Sequence, residues 1–188
     1  MAFLSTLWMP ILLSAVLVFI ASSIIWMASP LHKHDYKNPG DKEQTIMNML
    51  KSGNFEPGMY YVPWCHGHGA QKDPAVIAKM KAGPWAMLNV LPGPPQMGKM
   101  LGLWFFNILL VSTFVAYISF HALKPGVPYL EVFRIAGTSA LLAYAGYALP
   151  LSIWHGNPWS QLPGRLVDGI VYALLTAGTF AWLFSKHM

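Results

Sequence analysis

The chain has 188 residues, 55% of them hydrophobic and only 10% charged, with a net charge of +5 and a mean hydropathy of +0.43. A water-soluble domain carries charge on about a quarter of its residues, so this composition excludes an ordinary soluble globule. The small positive excess suits an anionic membrane surface and calls for no nucleic acid partner.

Residues 7–29 ("LWMPILLSAVLVFIASSIIWMAS") form the first of four runs that reach the roughly 20 apolar residues needed to cross a bilayer. No charge precedes Lys33 and the run is too long for a signal-peptide core, so it reads as a retained transmembrane helix. The next apolar runs are 100–123, 130–154 and 166–184. Inside lipid every backbone polar group needs an internal partner, and runs of this length meet that need as helices. Trp8, Trp26, Trp104, Tyr129, Trp154, Trp159 and Trp182 fall near the expected span ends, as in an interfacial aromatic belt.

Between the first two runs lies an insertion, residues 30–99, with its own grammar. "GDKEQTIMNMLKSG" predicts a helix with Asp41 as N-cap, Gln44 completing a capping box, an apolar stripe at Ile46, Met49 and Leu50, and Gly53 as its stop. "YYVPW" is a strand candidate. "DPAVIAKMKAG" predicts a second helix, with Asp73 as N-cap, Pro74 at its first position and Gly83 as C-cap. "WAMLNVL" is a second strand, closed by "PGPP". So small a unit buries too little surface to stand alone and is expected to rest on the membrane helices.

Four spans place 30–99 and the "HGNPWSQLPG" turn on one side of the membrane (side B), and the 126 region on the other (side A). Side B carries Lys33, Lys37, Lys42, Lys81, Lys99 and Arg165 against Lys124, Arg134 and Lys186 on side A. This excess points to a cytoplasmic insertion. "AGTSA" (136–140) and "AGTFA" (177–181) lie at similar depths of the third and fourth spans, which predicts a close helix seam at Gly137 and Gly178.

Chemistry-bearing residues gather on side B: His32, His34 and Asp35 after the first span, Cys65, His66 and His68 in "CHGHG", and His155 at the end of the third span. Histidine and thiolate ligate zinc and copper, and a carboxylate completes or orients such a site. In extended chain His32 and His34 would share a direction, as would His66 and His68. Three readings fit: a copper or zinc site, interfacial histidines that hydrogen-bond or meet headgroups, and a catalytic Cys65–His66 pair. The last lacks a visible activating partner. Asp168, one turn into the fourth span, reads either as an acid reached together with His155 or as a charge paired with Arg165. Glu131 and Arg134 have the i, i+3 spacing of a local ion pair. No phosphate-cradling loop, nucleophile elbow, Cys-x-x-Cys or His-Glu-x-x-His motif is present, and no charge lies deep in a span, which speaks against a pump or channel.

The combination of one leading span, "SPLHKHDYKNPGDKE", "PGMYYVPWC" and a triple span containing "FRIAGTSALLAYAG" and "IVYALLTAGTFAWLF" is similar to a family of small bacterial four-span membrane proteins. That resemblance implies an inner-membrane location and brings no activity or site with it. The expectation is an all-α membrane protein of four transmembrane helices with a small α/β extramembrane insertion between helices 1 and 2. Its parts are residues 1–29, 30–99 and 100–188. Its expected role is that of a non-catalytic structural or accessory subunit, in contact with lipid, with partner spans, and with proteins at the insertion. The alternative is a membrane-bound copper or zinc protein, and a membrane enzyme built on that metal is the third possibility.

Overall fold

A computed structural model describes residues 2–65, 67–70 and 72–187. The elements run α1 (Ala2–Ala28), α2 (Glu43–Ser52), β1 (Gly58–Val62), α3 (Gly67–Ala70), α4 (Pro74–Ala82), β2 (Ala86–Val90), α5 (Met97–Ala122), α6 (Tyr129–Ala145), α7 (Ala148–Trp154) and α8 (Leu162–His187). They form two compact units, one of residues 1–36 and 96–188, the other of residues 37–95.

The first unit contains four helical segments long and apolar enough to cross a membrane: Ala2–Ala28, Met97–Ala122, Tyr129–Trp154 and Trp159–Phe184. Two of them are interrupted by proline, which lacks an N–H and clashes with the carbonyl four residues earlier. In α1, Pro10 is accompanied by a kink at Leu7 (φ −110°, ψ 20°). The run expected as one helix over 130–154 is broken at Gly146 and Tyr147, because Pro150 removes the bond that the Gly146 carbonyl would accept.

The bundle is inside-out by the standards of a soluble protein. Ser14, Ser112, Ser119 and Thr176 are fully buried, whereas Leu4, Trp8, Leu12, Val16, Ile20 and Ile24 run down the outside of α1 at four-residue spacing. Several interior hydroxyls are satisfied locally or across helices, while those of Ser119, Tyr144 and Tyr172 are buried without a hydrogen-bond partner among the described residues. Thr176 donates to the Tyr172 carbonyl at 2.8 Å, Ser14 to Ser112 Oγ at 3.1 Å, and Trp104 Nε1 to Ser22 Oγ at 2.9 Å. Water would not tolerate so large an apolar exterior. Helix α8 is the central element, with 56% of its most apolar stretch buried against 22–28% in the other three spans.

Its broadest contact is with α6. Gly169, Ala173, Ala177 and Ala181 recur every four residues along α8, and antiparallel α6 meets them with Ala145 and Gly137. A methyl group at Gly137 would lie 3.1 Å from Ala177 Cβ, and one at Gly169 only 2.6 Å from Ala145 Cβ. The seam therefore exists at Gly137, but Gly178 is not part of it: its nearest neighbour, the Tyr129 hydroxyl, is 3.9 Å from where a Cβ would sit. Residue 178 falls one position off the four-residue ridge and meets only the end of a side chain from the first residue of α6. Glu131 and Arg134 are both exposed and form no ion pair within 4 Å, in keeping with the small gain such a surface pair offers.

In the second unit, β1 and β2 pair antiparallel with Tyr60 opposite Leu88. Helix α4 starts as its sequence predicts: Asp73 accepts from the Ala75 N–H at 2.8 Å, and Gly83 ends the helix at φ +63°. Helix α2 does not. Asn38 Oδ1 takes the Gly40 N–H at 2.8 Å and sets up a 3-10 turn over Gly40–Lys42, so Lys42 becomes the N-cap with no side-chain bond. Gln44 then bonds Asn48 instead of closing a capping box. The Asx turn at Asn38 begins the winding before Asp41 can act as a cap.

The α6–α8 register yields a paired prediction. Gly169→Ala should lower stability in detergent by about 1–3 kcal/mol through overpacking, while Gly178→Ala should be near neutral. Thermal unfolding of both variants checks this, and equal melting temperatures would contradict the register.

Candidate functional site

The segment after α1 is not extended. The Lys33 N–H reaches back to the Pro30 carbonyl and the Asp35 N–H to the His32 carbonyl, each at 3.1 Å, making two consecutive turns. These turns separate the two histidines that an extended chain would have aligned. His32 points inward and is 8% exposed, while His34 is exposed.

His32 bridges two carboxylates. Its Nδ1 hydrogen-bonds Asp35 Oδ2 at 2.8 Å, and its Nε2 lies 3.1 Å from Asp168 Oδ2. The second contact is an ion-pair approach without hydrogen-bond alignment, and Asp168 Oδ1 makes no hydrogen bond. Trp26 stacks on the imidazole with ring centroids 3.9 Å apart and planes 6° from parallel. Gly164 comes close enough that a methyl there would lie 3.2 Å from His32 Cε1, so the absence of a side chain at 164 is what admits the ring.

An outer layer holds these groups in place. Gln161 Nε2 donates to the Asp35 carbonyl at 2.5 Å, and Arg165 donates to Gln161 Oε1 at 2.7 Å. With its amide turned to satisfy both ends, Asn157 accepts from the same guanidinium at 2.7 and 2.9 Å. Arg165 is thus engaged with Gln161 and Asn157, not with Asp168. His155 is engaged elsewhere too, its Nε2 2.9 Å from the Tyr147 hydroxyl. Both partners expected for Asp168 from nearby sequence give way to a histidine 136 positions earlier in the chain, delivered by the antiparallel packing of α1 and α8.

Burial alone would depress the His32 pKa. The Asp35 hydrogen bond, the Asp168 contact and the two negative charges outweigh it, and the pKa rises above its ordinary value of 6.5. The protonated imidazolium is the form that suits a position between two carboxylates and against an indole face.

The remaining candidates are in the second unit. Cys65 is a free, half-buried thiol in a groove of about 360 Å³ formed with Val76, Ile77, Met80 and Lys81. His66 and the side chain of His68 lie outside the described residues. Among the described residues, no three of His, Cys, Asp and Glu are grouped so as to hold a metal ion. His32, Asp35 and Asp168 do meet, but with both imidazole nitrogens turned to carboxylate oxygens, an arrangement that shares protons. No protein-family model, curated protein or solved structure matches the chain.

The bridge sets a pH dependence. Because the folded-state pKa of His32 is raised, its stabilising contribution is fully present below about pH 6.5, the unfolded value, and is lost as pH rises through the folded value. Melting temperature should fall across that window, and His32→Gln should remove that part of the slope. His32→Ala, which strands two carboxylates, should cost about 3 kcal/mol. A pH–stability profile identical in wild type and His32→Gln would show that the bridge contributes nothing.

Proposed function

We propose that this chain is a non-catalytic multi-pass membrane component, a structural or accessory subunit of a bacterial inner-membrane assembly. The observation that carries this reading is the use to which the buried ionisable cluster is put. Both nitrogens of His32 face carboxylates, Asp35 at 2.8 Å and Asp168 at 3.1 Å, and this ties the exit of α1 to the start of α8, the use expected of a structural brace. The apolar flanks of α1 and α5 then supply the surface shared with lipid or with partner spans, and the insertion supplies contacts outside the bilayer.

In a native-membrane extract the chain should migrate in an assembly well above its own 20.9 kDa. Migration as a lone chain with its lipid would count against a subunit role. The copper or zinc reading keeps one direct test. Elemental analysis of the purified protein should show no stoichiometric metal, whereas one equivalent lost in Cys65→Ser would favour that reading instead.

The lysine excess on side B supports a cytoplasmic insertion. Cys65 should therefore resist a membrane-impermeant maleimide in intact cells and react after permeabilisation. Ready labelling in intact cells would reverse the orientation.

A further inference from the structure

At the foot of α1 the first unit has an open cleft of about 520 Å³, lined by Trp26, Ala28, Ser29, Pro30, His32, Lys33 and Tyr36. Its volume is in the range of small-molecule sites. All of its lining comes from the last turn of the first span and the turns that follow it. If α1 crosses a bilayer, that is the depth at which lipid glycerol and phosphate groups lie.

The chemistry of the lining is graded. Trp26, Ala28 and Pro30 are apolar; Trp26 gives one face to His32 and is still 49% exposed, which leaves surface for a ligand. Beyond them stand Lys33 and Tyr36, both exposed, with the Tyr36 ring 81% accessible. Lys33 has no acidic side chain within 4 Å among the described residues. The two nearby acids form no ion pair with it, because Asp35 and Asp168 are both turned inward onto His32. The cleft thus offers, beside aromatic and apolar walls, an ammonium with no direct acidic partner. A tyrosine and a tryptophan at this level are the side chains that favour the headgroup zone, and lysine attracts anionic headgroups there.

From this geometry we infer that the Trp26–Lys33–Tyr36 cleft is a binding site for the phosphate headgroup of an acidic phospholipid, with Lys33 as the phosphate contact and Trp26 and Pro30 against the glycerol and upper acyl region. The inference rests on the membrane placement of α1 but not on the accessory role, and a lipid site would stand whether or not the chain has protein partners. A zwitterionic headgroup offers the same phosphate but no net charge, so Lys33 would hold it less strongly. Discrimination between the two lipid classes is therefore the diagnostic property.

The test uses the full chain, reconstituted in equal parts of phosphatidylglycerol and phosphatidylcholine, gently released into detergent and weighed intact with its bound lipid. Phosphatidylglycerol should be retained in preference. Lys33→Gln should reduce that preference about fivefold, the effect of removing one basic residue near an anionic surface, and Tyr36→Ala should reduce it further. Lys124→Gln, at the opposite end of the spans, should leave it unchanged and so controls for general surface charge. Equal retention of the two lipids, or the same preference in Lys33→Gln and wild type, overturns the site. Displacement of the retained lipid by excess inorganic phosphate alone would show that a free anion is the ligand, which also overturns the lipid assignment. Because Lys33 is exposed and makes no side-chain contact that the fold depends on, loss of folding does not confound the variant; an unchanged melting temperature confirms this.

Discussion

An imidazole held between two carboxylates is the interaction on which the first unit depends. Two acids brought together at the edge of an apolar bundle would repel, and each would lose hydration with little in return. His32 converts that repulsion into attraction from both sides. The conversion requires close approach, which explains the company His32 keeps: Gly164 withholds a side chain, Trp26 covers one ring face, and Gln161 fixes the Asp35 backbone. Arg165 acts one step further out, orienting Gln161 while held by Asn157. Removing any one of these leaves the charges in place with poorer geometry, the costly way to break a buried pair.

Below this cluster the bundle is consistent with lipid contact. Apolar side chains would gain nothing by hiding from a hydrocarbon exterior, and many of them line the outside, while small residues in the interior let backbones approach. Alanine and glycine on α8 supply closeness to α6, and serine and threonine supply hydrogen bonds within and between helices. Large apolar side chains also share the interior: Phe180 and Phe184 pack in the side A half together with Leu7, Val115 and Val132. Toward side B the packing turns aromatic and more polar, with Tyr172 between Trp104 and Tyr144.

Span number, approximate span limits and the alternating helices and strands of the insertion were all legible in the sequence, because each rests on a local signal. Length and apolarity define a span, and Asp73–Pro74 and Gly83 define a helix without reference to the rest of the chain. What escaped was set by competition or by azimuth. Asp41 looked like a cap until Asn38, three residues earlier, started the turn first. Pro150 was present in the third run, but its effect is overlooked when only hydropathy is summed. The four-residue ridge Gly169–Ala173–Ala177–Ala181 was visible and more informative than the repeated "AGT" triplets, since it marks a helix face and the triplets do not. For Asp168, sequence correctly demands an internal partner. Depth alone narrows the choice to side B, and only the rotation of α1 about its axis selects His32 over His155.

The break between α6 and α7 bears on how the chain meets membranes of different thickness. Seventeen residues of α6 extend about 26 Å at 1.5 Å per residue, short of a hydrocarbon core of about 30 Å. The shortfall is made up by α7, a separate seven-residue rod joined through a point where the helical ladder is interrupted. Tilt is one of the ways a continuous helix meets a thicker or thinner bilayer, and tilt of α6 would work against its broad small-residue contact with α8. The joint at Gly146 and Tyr147 lets α7 take a direction of its own without disturbing that contact. In a bilayer the third span would then combine a long rod packed on α8 with a short, separately angled foot that carries it to the far side.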